Sequence, residues 1–351
     1  MANFVTRALS PKILPLRLGA EERSVAVIGG AGYIGSILCR RLLAAGHSVR
    51  VLDRLSFGGA AIEEIRQNPR FTLFEGDFRD IDLLLKAVRG ADAVVHLAAL
   101  VGDAACALHE KDTVAINYHG VELAARVCKG LGVPRFVFAS TCSVYGSADQ
   151  VVSETSALNP VSLYATTKID AENMLLSRRG SDFHPTVLRI GTAFGWSYRP
   201  RFDLVVNLLT AKAHFENQAV IYNGEQWRPF VHIVDISRAF QAVLDAPLRA
   251  VSGEIFNVGD DRMNHRLNDV GEALRRIRPS VQVVEEQRPD ARNYRVCFDK
   301  ISRRLAFQSR VTLVDGMREI EQNLVAGKVS AYQQPVYHNH RVAELALTAA
   351  G

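Results

Sequence analysis

Short apolar runs alternate with amphipathic stretches through the first half of the chain. Ser24 to Ile28, Ser48 to Leu52, Phe71 to Glu75, Ala93 to Leu97, Arg135 to Ala139 and Thr186 to Ile190 are largely apolar and of strand length, as strands covered on both faces of a parallel sheet are. Between them, Tyr33 to Ala45, Ile81 to Val88, Asp112 to Leu131 and Leu163 to Ser177 place apolar residues at helical spacing. This alternation predicts an α/β fold with a doubly wound parallel sheet. After Gly195 the rhythm becomes irregular. A loop rich in Arg, Tyr and Pro (Trp196 to Phe202) precedes a predicted helix near Asp203 to Glu216 and a turn at Asn223-Gly224. Strands are predicted at Phe230 to Ile233 and Glu254 to Val258, and helices at Asn268 to Ile277 and Thr312 to Leu324. The expected organisation is a leader over residues 1–23, a nucleotide-binding domain over 24–190 to which 231–258 returns, and a smaller α+β substrate-binding region making up most of 191–351.

The first predicted strand runs into Gly29-Gly30-Ala31-Gly32-Tyr33-Ile34-Gly35 and then a helix. Gly29, Gly32 and Gly35 permit a tight turn, close backbone approach to a pyrophosphate and tight helix packing, with the phosphates at the helix start beside Tyr33 and Ile34. That order of strand, turn and helix is the dinucleotide signature of a Rossmann sheet. About twenty residues on, the second strand ends at Asp53, whose carboxylate accepts hydrogen bonds from ribose hydroxyls and repels a 2′-phosphate. NAD is therefore expected over NADP, with the adjacent Arg54 as the one opposing charge. Asp77 and Phe78, after the third strand, are placed to approach an adenine; an Asp there also serves as a helix cap.

Phe136-Val137-Phe138 leads into Ala139-Ser140-Thr141-Cys142-Ser143-Val144-Tyr145-Gly146, which puts several hydroxyls at the carboxyl end of a central strand, where ligands bind. Further on, Tyr164-Ala165-Thr166-Thr167-Lys168 sets a phenol and an ammonium on one helical face. Together these segments resemble the extended short-chain dehydrogenase/reductases that act on nucleotide-sugars, of which the UDP-glucose 4-epimerases are a group. The likeness spans about Ser24 to Phe307 and implies NAD as cofactor, Tyr164 as acid/base, Lys168 on the nicotinamide ribose, and Thr141 on the reacting oxygen. A free tyrosine titrates near pH 10, so a base at neutral pH needs about 4 kcal/mol of preferential stabilisation of the phenolate. Lys168 and a cationic nicotinamide are expected to supply it.

The same resemblance carries further residues. Leu97, Ala98 and Ala99 match the segment lining the nicotinamide, although plain apolar core explains them equally well. Asn117 matches an Asn that steadies the active-site helix. Asn207, Arg228 and Arg292 match residues that meet the substrate diphosphate, a role that suits the planar arginine fork. Ser143 belongs to the sugar-facing set. His232 and Asp235 read as structural. Where the family often has Asn three residues after the strand-ending Arg, here Arg189, this chain has Thr192; Arg199 and Arg201 stand close by as a replacement or as readers of an unusual sugar. Related 4,6-dehydratases carry Asp-Glu directly after the threonine, whereas this chain has Cys142 and Ser143, which favours simple hydride exchange over elimination. The expected activity is a nucleotide-sugar 4-epimerase working through a transient 4-keto sugar. The alternatives are a 4-dehydrogenase or ketoreductase with net redox, and a non-catalytic NAD-binding sensor.

Composition narrows the partners. The net charge of +5 comes from scattered Lys and Arg with no basic block, so no nucleic-acid partner is expected. No apolar run is long enough to span a bilayer. The five cysteines form no CxxC pair, so neither a disulfide framework nor a metal site is indicated and a reducing, cytoplasmic setting follows. The helices of residues 112–131 and 163–177 match those that pair subunits in the resembled family, implying a homodimer.

Overall fold

The computed structural model describes residues 22–348. The leader expected over 1–23 therefore lies outside the described residues except for Glu22 and Arg23. Seven parallel strands form the central sheet: β1 (Ser24–Ile28), β2 (Ser48–Asp53), β3 (Phe71–Glu75), β4 (Ala93–His96), β5 (Arg135–Thr141), β6 (His184–Ile190) and β7 (Glu254–Val258), in the spatial order 7-6-5-4-1-2-3. All pairings are parallel and in continuous register, for example Val27 opposite Val51 on one side and Val95 on the other. Strand order reverses between β1 and β4, so their carboxyl ends diverge and leave a crevice, the place where such sheets bind ligands. The doubly wound architecture expected from the sequence is borne out.

Each sheet face is covered by helices whose apolar stripe it buries. On one side α1 (Tyr33–Ala44) and α6 (Ile233–Asp245) pack with Ile37, Leu38, Leu42, Ile236, Phe240 and Val243 into the layer. On the other lie α2 (Ile81–Val88), α3 (Val121–Gly130) and α4 (Leu163–Ser177), which bury Leu84, Ala124, Cys128, Ala171 and Leu175. The helices start where side chains satisfy the first free amides: Asp80 accepts from Asp82 and Leu83 to begin α2, and Ser162 accepts from Ala165 to begin α4. A third apolar cluster gathers α5 (Val205–Glu216), α7 (Leu267–Ile277) and α8 (Leu313–Val325) around Phe194, Phe202, Phe230 and Met317, forming a smaller lobe over the crevice.

Two predicted elements differ. The helix expected over Asp112 to Leu131 is a helix Glu110–Val114, a wide π-type turn Ala115–Gly120 and then α3. The widening falls around Asn117, whose side chain is drawn sideways to another loop. The strand expected at Phe230 to Ile233 is Trp227–His232. It joins Thr192–Phe194 and Asn264–Arg266 in a separate three-stranded sheet rather than the central one, and Ile233 already begins α6. Among the described residues no helix is long and apolar enough to cross a membrane.

Candidate active site

At Gly29 and Gly35 in the turn after β1 only glycine fits. Gly29 has φ +88° and donates to Leu52 O at 2.9 Å; a Cβ there would lie 2.7 Å from the Ala98 amide nitrogen. A Cβ on Gly35 would lie 2.3 Å from Gly29 O. The backbone is thus left bare at the start of α1, where Gly32 provides no side-chain cap and the helix dipole favours an anion. Tyr33 does not offer its phenol there. Its hydroxyl is buried and donates to Gly195 O at 2.8 Å, so only the main chain of Tyr33 and Ile34 can meet a phosphate.

Asp53 closes β2. Its carboxylate accepts from Ala31 N at 2.9 Å and Leu55 N at 2.8 Å. Burial pushes its pKa up, although those two amides and the nearby Arg199 and Arg54 favour the charged form. Arg54 also reaches Asp77 at 3.6 Å. Burial alone would raise Asp77, but the bonds from Arg79 outweigh it and hold this carboxyl below the usual range. Phe78 corrects an expectation: its ring is 6% exposed, meets His96 edge-on at 5.0 Å and fills the space beside Gly120. Its side chain is core, so adenine could meet only its backbone. Over this end of the crevice sits Arg199, stacked 3.6 Å from the Phe57 ring centre, with its buried Nε bonded to nothing. Burial, reinforced by Arg201, lowers its pKa to about 9. A bare glycine cradle, a carboxylate and an orphaned guanidinium nitrogen are a donor and acceptor set that fits a dinucleotide.

The other end of the crevice holds the phenol and the ammonium. Leu97 and Ala98 donate to Ile28 O at 2.8 and 3.0 Å, joining the ends of β4 and β1, and Ala99 follows half-buried. Asn117, fully buried, clasps Leu100 from both sides at 2.9 Å. Thr141 ends β5 and exchanges two 3.1 Å bonds with Ser143, and its hydroxyl also bonds Tyr164. Lys168 is 2% exposed, with Nζ donating to Ala139 O at 2.8 Å and lying 5.8 Å from the Tyr164 ring centre. Burial lowers its pKa to about 8, against the pull of Cys106 and Glu172.

The expected depression of the phenol is not produced by the protein alone. Burial pushes the Tyr164 pKa up and Cys106 and Asp103 add to this, while Arg201 and the Thr141 bond oppose it. The physical reason is burial of the phenol, with the Lys168 ammonium spent on the Ala139 carbonyl. A low phenol pKa therefore requires a second cation alongside.

Sequence reasoning missed a buried network behind this pair. Glu172, one turn beyond Lys168 on α4, grips Arg189 of β6 through Nη2 at 2.7 Å and Nε at 3.1 and 3.2 Å, and accepts from Ser140. Arg189 also donates to the Tyr145 hydroxyl at 3.0 Å, which donates to Asn257 at 2.7 Å; Asn257 in turn donates to Cys297 O at 3.2 Å. All five side chains from Ser140 to Asn257 are at most 3% exposed. The signal was present: Tyr164, Lys168 and Glu172 recur every four residues on a helix face that is otherwise apolar.

On the lobe side, Thr192 lies half-buried opposite Phe230 in the small sheet. Asn207 departs from its expected role at a diphosphate. Its oxygen accepts from Gly195 N at 2.9 Å, and its amide donates to Arg201 O, Gly195 O and the Tyr33 hydroxyl at 2.9, 3.2 and 3.3 Å. With every polar atom engaged it braces the Gly195–Arg201 loop instead. Arg228, 6% exposed, meets Asp290 at 3.1 Å and Gln226 at 3.0 Å. Arg292 pairs with Asp290 at 2.8 Å and with Asp103 at 3.1 Å. Tyr294, buried between them, bonds Ser143, and burial pushes its pKa up to about 12. Cys142 is sealed in the core with its thiol on Arg189 O at 3.3 Å. His232 and Asp235 are structural: His232 meets Glu319 at 2.9 Å, and Asp235 accepts from Arg310 and Val311.

Residues 25–259 match the model described as the NAD dependent epimerase/dehydratase family. An uncharacterized UDP-glucose epimerase of Bacillus subtilis is 32% identical over 246 residues, covering 67% of this chain and 76% of the relative. A dTDP-glucose 4,6-dehydratase of Streptomyces griseus is 30% identical over 304 residues, with 83% and 90% covered. Among solved structures, a UDP-glucuronic acid 4-epimerase of Bacillus cereus, in complex with UDP-glucuronic acid and NAD, superposes with a TM-score of 0.75 at 25% identity. It covers 87% of this chain and 100% of that one.

Proposed function

The chain belongs to the NAD dependent epimerase/dehydratase family, and from that premise we propose that it is a nucleotide-sugar 4-epimerase acting through a transient 4-keto sugar. It is NAD-dependent and of the nucleotide-sugar type, and removal of hydride from the sugar ring by such a cofactor would serve epimerisation and dehydration alike. The finer reading is carried by the pair of residues directly after Thr141. Elimination of a hydroxyl needs an acid for the leaving group and a second base beside the sugar, work to which a pair of carboxyls is suited. Here Cys142 is sealed against Arg189 O and Ser143 is tied to Thr141 and Tyr294. Neither is a carboxylate, so the residues present support hydride removal and return without loss of water.

In this reading Gly29, Gly32, Gly35 and the main chain of Tyr33 and Ile34 cradle the pyrophosphate, Asp53 takes the ribose hydroxyls, and Asp77 with the Phe78 backbone faces the adenine. The bound cofactor supplies a hydride acceptor and a positive charge. Beside that charge and Lys168, the Tyr164 phenol would be acidic enough to take the proton of the 4-hydroxyl, with Thr141 holding the same oxygen. Lys168, which donates to the Ala139 carbonyl in this structure, would hold the nicotinamide ribose. Arg228 and Arg292 exchange Asp290 and Asp103 for the substrate diphosphate, a stronger bidentate partner. Incubation with a panel of nucleotide-sugars tests the proposal. Formation of the 4-epimer without added cofactor supports it; stoichiometric reduced nicotinamide with an oxidised product overturns it in favour of net redox, and a dehydrated product overturns it in favour of elimination.

A further inference from the structure

After α8 the chain does not leave the molecule but crosses back over the crevice. A short turn Pro335–Tyr337 leads into α9 (Asn339–Thr348). At the adenosine end, Val336 O and the Asn339 side-chain oxygen accept from Arg199 Nη2 at 3.2 and 2.8 Å. Arg199 is the guanidinium that lies beside Asp53. The Asn339 amide donates to Asp203 at 2.9 Å, and Tyr337 O accepts from Phe202 N at 3.0 Å. At the nicotinamide end, Asn339 Nδ2 reaches Val101 O at 3.5 Å, and α9 packs on the helix Asp103–Leu108. That helix carries Cys106, a thiol that burial keeps protonated by raising its pKa to about 11, close to both Tyr164 and Lys168. His338 anchors the crossing from below: it is 5% exposed, with Nε2 2.8 Å from Tyr332 O. One segment therefore ties a loop standing over the phosphate turn to a loop standing beside the catalytic pair.

We infer that residues 335–348 form a strap over the dinucleotide crevice, with Asn339 as a positioning residue for Arg199, and that the strap slows cofactor release. An enzyme that must return the same hydride to the sugar it took it from benefits from slow release, so the inference deepens the epimerase reading and rests on it for its purpose. The geometry itself does not depend on that reading. Asp53 ends β2, next to β1, and Val101 lies in the loop that follows β4, so the two stand on opposite sides of the glycine turn after β1. Opening the path requires parting Asn339 from Arg199 or from Val101.

The test is release of bound NADH from the full chain, followed by loss of its fluorescence on chase with excess NAD, with no sugar present. Asn339→Ala should release NADH about tenfold faster with an unchanged melting temperature, and a chain ended after Gln334 should release it faster still. Asn339→Asp, whose carboxylate accepts from Arg199 but cannot donate to Val101 O, should return the rate only part of the way to that of the wild type. If the shortened chain fails to fold, Asn339→Ala decides alone. Release from a folded Asn339→Ala at the wild-type rate overturns the strap while leaving the epimerase proposal untouched. Conversely, faster release with no epimer from any nucleotide-sugar retains the strap and removes its purpose.

Discussion

Replacing Glu172 by Leu leaves the Arg189 guanidinium charged in a site 3% exposed, with only the Tyr145 hydroxyl as partner. Burial acts against that charge, and the bonds and field of Glu172 are what reverse the balance and drive the arginine pKa up. Removing one partner of such a pair costs about 3–5 kcal/mol because the remaining ion is uncompensated, not because the pair itself is worth that much. For a chain of this length unfolding as a unit, the entropy at the midpoint is roughly 0.7 kcal/mol per kelvin, so the expected fall in melting temperature is about 4–7 °C. The companion variant Glu172→Leu/Arg189→Met replaces both ions by apolar groups and should recover to within about 2 °C of the wild type. Circular dichroism melts at fixed pH and salt read both. The reasoning is refuted if the single variant melts within about 1 °C of the wild type, or if the double variant melts no higher than the single. Because Lys168 sits one turn away on α4, the single variant should also lose kcat more than KM.

Three further outcomes are expected from the geometry. Tyr164→Phe should lower turnover by about 10²–10⁴-fold, the range for removing a positioned acid/base, while NAD binding measured by calorimetry stays within twofold; wild-type turnover removes the phenol from the mechanism. Gly29→Ala should abolish NAD binding, since the new Cβ would lie 2.7 Å from the Ala98 nitrogen at φ +88°, and retained micromolar affinity contradicts that. His96 is fully buried, and burial with the Lys168 charge lowers its pKa to about 3 from 6.5. The unfolded chain then binds more protons between those values, so stability falls as pH drops through 6.5, by about 2 kcal/mol at pH 5. His96→Leu should lose roughly 3 °C less than the wild type between pH 8 and pH 5; equal losses exclude His96 as the source.

The sheet was legible because its central strands are apolar on both faces, a pattern that helix residues of similar length do not repeat between glycine turns. Phe71–Glu75 and Glu254–Val258 emerge with the boundaries that periodicity assigns. The widened turn at Ala115–Gly120 was not legible, since it depends on Asn117 reaching across to Leu100, a contact set by tertiary packing. Thr141, Tyr164 and Lys168 announce themselves by residue type and are brought together at one crevice. Asn207 and Phe78 show the limit of matching positions: a side chain can stand at the expected place yet be taken by Gly195 and Arg201, or by the core. The opposite error hid Glu172 and Arg189, because two charged residues among apolar neighbours look like solvated positions until their mutual bonds are seen.

The chain of bonds from Glu172 through Arg189, Tyr145 and Asn257 to the carbonyl of Cys297 also ties the central sheet to a strand outside it. It passes without a break from the helix carrying Tyr164 to the backbone just past the strand Asn293–Val296, beside Arg292 and Tyr294. Parting the strand Asn293–Val296 from the central sheet would break the Asn257 bond to Cys297 O together with that strand's parallel pairing to residues 147–152. A variant that removes the Asn257 amide, such as Asn257→Leu, is expected to loosen the seam between that strand and the sheet without touching Tyr164 or Lys168.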